Sequence, residues 1–400
     1  MRLTTHHVLA SAAAATAAVL TLTACAPSAS DDGGEAGAGG GSIEVGVITS
    51  ETGPLAAYGT QFLSGFEAGL DYATDGTGEV AGVTIEIRNG DDTGDPDKAV
   101  QLAKEYVGDG VKILTGTVSS GISLSLAEQA AQNKVLYISG AAAADAITGL
   151  NAYTFRSGRQ SMQDVATAGT FLEDIDGQKV VVYAQDNAFG QGNSAAVEAL
   201  LGAEGATVEP LLVGEDIKEF TSFSQQLKDA DPDLVFVAWA GETTGSMWQS
   251  LEQQGVFDVA PVVTGLGDVA TYGAYGPVAE RISFLSHYFG TAPDNDVNAA
   301  MVEAVEGAGG TVDLFTPDGF TAAQMIVRAI EEGDGDVEAM VEALEGYTFA
   351  APKGEVTVRE GDHALLQEMY QARLVADGDS FTPELVETVA ADQVAPPEAG

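Results

Sequence analysis

The stretch "SIEVGVITSETGPLAAYGTQFLSGFEAGLDYA", residues 42–73, contains one complete structural unit of this chain. Its first part, residues 42–50, is rich in Val and Ile and predicts a strand that ends at a loop. Its last part, residues 59–73, places Phe62 and Phe66 near one face of a predicted helix. A strand, a short loop and a helix in succession are typical of parallel sheets covered by helices.

The same rhythm continues along the chain and predicts an α/β fold with mostly parallel sheets flanked by helices. Further strands are predicted at residues 83–89, 111–116, 134–140, 179–185, 206–213, 233–240, 261–265 and 281–290. Helices are predicted from Asp95-Pro96 onward and at 122–133, 189–201, 218–229, 243–254, 294–308 and 317–345. Residues 365–379 alternate like a pair of edge strands. A body of about 350 residues exceeds one ordinary core, so two domains are expected.

The N-terminal segment has the proportions of an export signal. Residues 8–22 carry no charge and are too short for a membrane-spanning helix, which needs about 20 apolar residues. Cys25, the only cysteine in the chain, ends a Leu-Thr-Ala-Cys motif that resembles the lipobox of bacterial lipoproteins. The resemblance implies a signal peptide at 1–24, a lipid on Cys25 and anchoring at the outer face of the cytoplasmic membrane. The Gly-, Ala- and Ser-rich residues 25–42 predict a flexible tether.

The charge of the chain excludes one class of partner. Asp and Glu number 60 against 16 Lys and Arg, which gives a formal net charge of −44. Binding of a phosphate backbone requires basic surface, so nucleic acid is excluded, and docking on anionic lipid headgroups is disfavoured. The acid excess fits a compositional bias that says nothing about the ligand, and the alternative is solubility in salty surroundings.

Motifs of enzymes are absent from the sequence. The two histidines beyond the signal segment, His287 and His363, are far apart, and there is no His-Glu-x-x-His, Gly-x-Ser-x-Gly or Walker motif. We therefore expect no enzyme activity, no cofactor and no metal site.

Three stretches carry a family resemblance. They are "VITSETGPLAAYGTQFLSGFEAGLDY" (47–72), "NGDDTGDPDKAVQLAKEYVGDGVKILTGTVSSGISLSLAE" (89–128) and "DNAFGQG" (186–192). Together they resemble the extracellular solute-binding proteins of branched-chain amino acid ABC importers, which are type I periplasmic binding proteins. The resemblance spans about Ser42 to Asp379. It implies a monomer with two α/β lobes, joined by three hinge crossovers, which close on a small molecule and dock on permease subunits.

The resemblance also places the lobe boundaries. Crossovers are expected near Phe155, near Ser286 and near Gly361 to Leu366. Lobe one then comprises residues 43–155 plus 288–362, lobe two comprises 156–287 plus 363–392, and 393–400 form a tail.

The loops after the strands are the expected ligand site, because parallel sheets bind ligands at the carboxyl ends of their strands. In the family the loop after the third strand holds the carboxylate of the ligand, and the matching residues are Ser119 and Ser120. Ser120 is also a candidate N-cap, and free amides at a helix N-terminus favour an anion; a role as cap alone is the alternative. The next loop implies a backbone carbonyl contact from Ala141 and another contact at Ala143, where the family commonly has threonine.

The resemblance further implies three aromatic contacts, Tyr58, Phe189 and Trp239, for which packing in the core is the alternative. Family members that bind amino acids usually pair the ammonium of the ligand with an acid on lobe two. Here that position is Leu266, and the nearest acids are Glu242 and Asp268.

Arg156 and Arg159 stand three residues apart at the first crossover, in a chain poor in basic residues. A guanidinium fork suits a carboxylate, so Arg159 is an expected ligand contact; pairing with neighbouring acids is the alternative. The expected ligand is an amino acid or amide, or alternatively an aromatic or aliphatic carboxylate. A sensor that presents the ligand to a membrane receptor is a further alternative.

Overall fold

Two sheets carry the fold in the computed structural model, which describes residues 41–172, 174–378 and 380–399. The predicted signal peptide, Cys25 and nearly all of the predicted tether lie outside the described residues. The first strand already begins at Ser42, the last residue assigned to the tether.

The first sheet has six strands in the order β2-β3-β1-β4-β5-β6. Its strands are β1 (Ser42–Thr49), β2 (Glu79–Val80), β3 (Val83–Asp91), β4 (Ile113–Gly116), β5 (Leu136–Ser139) and β6 (Thr154–Arg156). The helices between them are α1 (Ala56–Ala73), α2 (Pro96–Gly108) and α3 (Ser120–Asn133). The short β2 runs antiparallel to β3, whereas β3, β1, β4, β5 and β6 are parallel to one another. The predicted parallel strand–helix units are therefore confirmed here.

After β6 the chain enters the second half of the molecule. Its helices are α4 (Ser161–Gly169), α5 (Ala188–Val197), α6 (Thr221–Asp229) and α7 (Thr244–Gln253). Its first strands are β7 (Lys179–Gln185), β8 (Thr207–Val213), β9 (Leu234–Ala238), β10 (Val262–Gly265) and β11 (Ile282–Ser286). A 3-10 segment with a kink at Gly276, residues Val269–Arg281, connects β10 to β11.

A returning segment follows β11 and packs on the first sheet. It contains α8 (Asp296–Gly307), α9 (Thr316–Gly333), α10 (Val337–Leu344) and a small antiparallel sheet of β12 (Thr348–Ala351), β13 (Gly354–Val358) and β14 (Leu365–Leu366). Ile326 of α9 and Met340 of α10 share one hydrophobic core with Val47 and Phe62. The first lobe is thus assembled from two separate parts of the chain.

The last two strands return to the second sheet. They are β15 (Met369–Asp377) and β16 (Ser380–Val389), which complete a seven-stranded sheet in the order β16-β15-β11-β10-β9-β7-β8. Both run antiparallel to their neighbours at the edge of the sheet. The alternating pattern of residues 365–379 predicted edge strands in this part of the chain. The chain therefore crosses between the two lobes three times: after β6, after β11, and between β14 and β15.

Several boundaries differ from the sequence-based expectation. The single helix predicted over 317–345 is wrong: α9 ends at Gly333, and Asp334 and Gly335 have φ angles of 44° and 77°, which a right-handed helix cannot accommodate. The three-stranded sheet of β12, β13 and β14 was not predicted. In the parts of the chain that the structure describes, no helix combines the length and the apolar character needed to cross a membrane.

Candidate ligand-binding site

A cavity of about 380 Å³ lies between the two lobes, at the carboxyl ends of strands from both sheets. Loops after β4 and β5 and the start of α1 form its wall on the first lobe, and loops after β7, β9 and β10 form its wall on the second. The structure brings together in this wall the sequence-predicted residues Tyr58, Ser119, Ser120, Ala141, Ala143, Arg159, Phe189, Trp239 and Glu242. Asp268 is not part of the cavity wall formed by the described residues.

The N-terminus of α3 opens on this cavity. Ser119 rather than Ser120 occupies the N-cap position, and within the described ranges its side chain makes no capping hydrogen bond. The hydroxyl of Ser120, the first helical residue, instead accepts a hydrogen bond from the amide of Ala144 at 3.2 Å. The N-cap of α3 is therefore one residue earlier in the chain than the predicted Ser120. Because the first amides of a helix lack intrahelical acceptors, they and the helix dipole favour an anion at this end of the cavity.

Arg159 lies beside the cavity with part of its guanidinium committed to the protein. Its Nη1 donates to the carbonyl of Ala141 at 3.0 Å, and its Nε lies 3.2 Å from Oδ2 of Asp164. Burial raises the pKa of Asp164, and the charge of Arg159 opposes that rise. Nη2 of Arg159 makes no hydrogen bond to any described residue, and Arg159 is one of the residues that line the cavity. The carbonyl of Ala141, which the resemblance assigned to the ligand, here accepts from Arg159.

Arg156, three residues earlier, has a different position. It is 1% exposed, and its guanidinium donates to the carbonyls of Ala144 and Arg159 at 3.1 and 2.7 Å. Burial lowers the pKa of Arg156 to about 10. Arg156 therefore braces the loop that carries Arg159 and does not line the cavity within the described residues.

Aromatic side chains form much of the remaining wall. Tyr58 packs edge-on against Phe315, with ring centroids 4.8 Å apart. Trp239 donates from Nε1 to the hydroxyl of Thr243 at 2.9 Å and packs against Tyr183 in the core of the second lobe. Trp239 thus packs in the core and lines the cavity at once, so the two interpretations of this residue do not exclude each other.

The acids predicted as partners of an ammonium are placed unfavourably for that role. Asp268 is 5% exposed, and its Oδ1 accepts from the amide of Thr271 at 2.9 Å, which caps the 3-10 segment. Glu242 lines the cavity but is exposed to solvent at its rim. Leu266, the position that the resemblance assigns to the acid of amino-acid binders, lines the cavity with an apolar side chain.

The wall also contains residues that were not predicted as ligand contacts, among them Gln185, His287 and Phe315. The side chain of Gln185 accepts from the amide of Ala240 at 3.0 Å and so joins two ligand-facing loops. His287 directly follows Ser286, at the predicted second crossover, and that position was a usable signal. Phe315 precedes α9 and comes from the returning segment, so nothing in its local sequence indicated the cavity.

The two lobes touch at the cavity. A Cβ atom added to Gly241 of the second lobe would lie 3.3 Å from the carbonyl oxygen of Pro54 on the first. The amide of Val269 donates to Oδ2 of Asp313 across the lobes at 3.0 Å. Burial raises the pKa of Asp313 to about 6. The walls of the cleft on the two lobes are therefore in contact with each other.

Comparison with known proteins places this architecture. The family model described as periplasmic binding protein matches residues 42–379. The Leu/Ile/Val-binding protein BraC3 of Rhizobium johnstonii is 27% identical over 326 residues, which are 80% of this chain and 88% of that protein. A Leu/Ile/Val-binding protein homolog 1 of Brucella suis is 29% identical over 345 residues, 84% of this chain and 91% of that protein.

Solved structures agree with the family match. The crystal structure of an ABC-type branched-chain amino acid transporter from Rhodopseudomonas palustris is 32% identical, with a TM-score of 0.74, and covers 89% of this chain and 99% of its own. A solute-binding protein of an ABC transporter from R. palustris, in complex with 4-hydroxybenzoate, has a TM-score of 0.80 at 22% identity and covers 87% of this chain and 97% of its own. That second likeness concerns the fold. By the match over residues 42–379, the chain belongs to the periplasmic binding protein family and is a two-lobed solute-binding protein of the kind that serves ABC importers.

Proposed function

We propose that this protein captures an amino acid or a related small carboxylate in the cavity between its lobes and delivers it to the permease subunits of an ABC importer. One observation carries the proposal: the N-terminus of α3 and the guanidinium of Arg159 both face a single cavity that the two lobes line together. Because the ligand contacts both lobes at once, its binding favours the closed arrangement over the open one.

The carboxylate of the ligand has a natural position at the N-terminus of α3. Amides of the first helical turn and the hydroxyl of Ser119 would donate to it, with Arg159 as the cationic neighbour. Relatives of this chain include proteins named as Leu/Ile/Val-binding, which supports an amino acid as the first candidate. Those relatives are solute-binding proteins and not enzymes.

An aromatic or aliphatic carboxylate without an amino group is the second candidate, and one observation favours it. Leu266 occupies the wall where a buried acid would pair an ammonium, Asp268 is used in a helix cap, and Glu242 is exposed. Burying an ammonium without a charge partner is costly, whereas a ligand that lacks the amino group avoids that cost. A structural neighbour of this chain binds 4-hydroxybenzoate, which shows that this fold can hold such a ligand.

We further propose that a lipid on Cys25 anchors the protein at the outer face of the cytoplasmic membrane. The support is the Leu-Thr-Ala-Cys motif after an uncharged segment at 8–22. Firm anchoring takes two or more acyl chains. Replacing Cys25 with Ser should release the protein from the membrane fraction into the soluble fraction, and retention of the Cys25→Ser variant in the membrane fraction would contradict the anchor.

Thermal unfolding of the purified protein tests the ligand class. The panel contains branched-chain amino acids, amides, and aromatic and aliphatic carboxylates. A ligand present at 100 times its dissociation constant adds about 2.7 kcal/mol to the free energy of unfolding, which raises the midpoint measurably. A raised midpoint with amino acids supports the first candidate, and one with carboxylates that lack an amino group supports the second. A midpoint unchanged by every compound, in protein unfolded and refolded to remove any ligand carried through purification, would contradict the proposed function.

A further inference from the structure

His287 lines the cavity and has no part in the proposed capture of a carboxylate. It follows β11 at the second crossover and is 4% exposed. Its Nε2 lies 3.0 Å from the carbonyl oxygen of Leu314 in the first lobe. A carbonyl oxygen can only accept a hydrogen bond, so Nε2 carries the proton and Nδ1 keeps a lone pair.

That lone pair is available to a ligand. Among the residues that the structure describes, Nδ1 of His287 has no hydrogen-bond partner, and it is not one of the fully buried polar atoms that lack a partner. Burial, together with the charges of Arg159 and Lys353, holds the pKa of His287 well below its ordinary value. The imidazole is therefore neutral at pH 7, and Nδ1 remains an acceptor.

The neighbourhood of His287 selects the kind of donor that it can meet. The ring of Phe315 packs against both His287, at 5.2 Å between centroids, and the guanidinium of Arg159, at 5.6 Å from the ring centroid. The guanidinium of Arg159 disfavours a ligand ammonium near His287, because like charges repel strongly in a buried site. A hydroxyl can donate to Nδ1 of His287 and, unlike an ammonium, adds no positive charge near Arg159.

We propose that His287 is a specificity-determining residue that accepts a hydrogen bond from a neutral donor of the ligand, so that the cavity prefers hydroxylated small carboxylates to their unhydroxylated and amino counterparts. The inference rests on the proposed function, because it presumes a small carboxylate between the lobes. It narrows that function to hydroxy acids, with the carboxylate at the N-terminus of α3 and the hydroxyl at Nδ1 of His287.

Two matched ligand series test the preference by titration calorimetry at pH 7.5. The aliphatic series is 4-methylpentanoate, L-2-hydroxy-4-methylpentanoate and L-leucine, which share one carbon skeleton. The aromatic series is benzoate and 4-hydroxybenzoate. A buried acceptor that is left without its donor weakens binding by about tenfold or more, so in at least one series the hydroxylated member should bind at least tenfold more tightly than its parent.

Variants of His287 separate the role of Nδ1 as an acceptor from the hydrogen bond between Nε2 and the carbonyl of Leu314. His287→Gln places an amide nitrogen where Nε2 stood, so it can still donate to Leu314, but it offers no acceptor at Nδ1. We expect the tenfold ratio to fall to about one in this variant while the unhydroxylated parent keeps its affinity. His287→Asn keeps an oxygen near the Nδ1 position but is too short to reach the carbonyl of Leu314. It should therefore preserve the preference for the hydroxylated ligand while lowering thermal stability.

His363→Gln is the matched control. His363 contacts the carbonyl of Thr154 through Nδ1 at 2.9 Å and does not line the cavity within the described residues. This variant should keep the wild-type ratio. Equal affinity of wild type for parent and hydroxylated members, tighter binding of L-leucine than of the hydroxy acid, or a ratio unchanged in His287→Gln would each overturn the inference while leaving carboxylate capture intact. Binding of no member of either series would overturn the proposed function as well.

Discussion

At the residue scale, two arginines three positions apart have opposite surroundings. Arg156 uses its guanidinium on backbone carbonyls of the loop around it, whereas Arg159 lines the cavity and its Nη2 makes no hydrogen bond to a described residue. The sequence singled out both, since a chain with 16 basic residues rarely places two so close together. Only the tertiary structure shows that Arg156 is buried against backbone carbonyls while Arg159 lines the cavity.

This division predicts different losses for the two arginines. Replacing Arg159 with Gln should weaken binding of the best ligand from the thermal panel by about 10- to 100-fold, because a charge-assisted hydrogen bond contributes about 1.5–3 kcal/mol. Replacing Arg156 with Gln should lower the unfolding midpoint, because buried carbonyls lose their donor, and should leave affinity unchanged in the folded protein. Calorimetric titration together with thermal unfolding measures both. An unchanged dissociation constant in Arg159→Gln would remove Arg159 from the site.

Ser119 and Ser120 should separate in the same way. The hydroxyl of Ser119 is half-buried at the cavity wall and makes no capping bond to a described residue, so Ser119→Ala should reduce affinity for carboxylates without lowering stability. The hydroxyl of Ser120 holds the amide of Ala144, so Ser120→Ala should cost about 1 kcal/mol of stability. Chemical denaturation and calorimetric titration of both variants check this, and a loss of stability in Ser119→Ala alone would contradict it.

Asp268 shows why the local sequence could not identify every residue of the site. It lies two residues from the family position of the ammonium partner, so proximity along the chain suggested a substitute for it. The backbone after β10 instead turns directly into the 3-10 segment, and the side chain of Asp268 caps that segment. A capping position fixes the direction of a short side chain, and this direction differs from that of the neighbouring Leu266.

At the scale of elements, helices α1 and α9 approach each other through glycines. A Cβ atom added to Gly65 of α1 would lie 1.8 Å from the carbonyl oxygen of Thr316, and one added to Gly319 of α9 would lie 2.0 Å from that of Phe62. Such contacts bring the two backbones together and fix the position of α9. Phe315, immediately before α9, is thereby held at the cavity wall.

Replacing Gly65 with Ala should therefore cost about 3 kcal/mol of stability, because a backbone oxygen cannot move away as a side chain can. Gly307, at the end of α8 in the same lobe, is the matched control, since a Cβ atom there meets no atom within 4 Å. Gly307→Ala should be neutral or stabilising by up to about 1 kcal/mol, because alanine favours helix. Urea denaturation of the two variants measures the difference, and similar effects in both would show that the contact between α1 and α9 yields easily.

The helices α9 and α10 illustrate what periodicity alone leaves open. Apolar residues recur with helical spacing through residues 317–345, so the pattern predicted one continuous helix. Asp334 and Gly335 adopt positive φ angles instead, and α10 folds back to pack beside α9. Both helices keep their apolar face toward the core, so the apolar spacing continues across residues 334–335. For that reason the spacing alone does not show that the helix is interrupted there.

At the scale of the whole molecule, one carboxylate joins the two lobes. Asp313 accepts from Gln61 of its own lobe at 3.1 Å and from the amide of Val269 of the other at 3.0 Å. Burial raises its pKa from the ordinary 3.8 to about 6, with Asp268 contributing in the same direction. The folded protein therefore binds this proton more tightly than the unfolded chain does.

The raised pKa of Asp313 predicts a pH dependence with a defined sign. The stabilisation due to its protonation is fully present below about pH 4 and is lost as the pH rises through about 6. Between pH 5 and pH 7.5, wild type should lose about 1.4 kcal/mol of unfolding free energy relative to Asp313→Asn, which has no proton to release. Urea denaturation of both proteins at the two pH values measures this difference, and parallel losses in the two proteins would contradict it.

The sequence by itself determined the fold class, the family and nine residues of the cavity wall. Strand–helix periodicity is local and repeats through both lobes, and the loops after parallel strands meet at one edge because the chain direction requires it. Tertiary structure alone decided the rest. Phe315 reaches the cavity only when the returning segment packs against the first sheet, and His287 meets Leu314 of that segment across the lobes. Local spacing does not encode such contacts, because they depend on close helix packing and on which side chains are already used by caps and buried carbonyls.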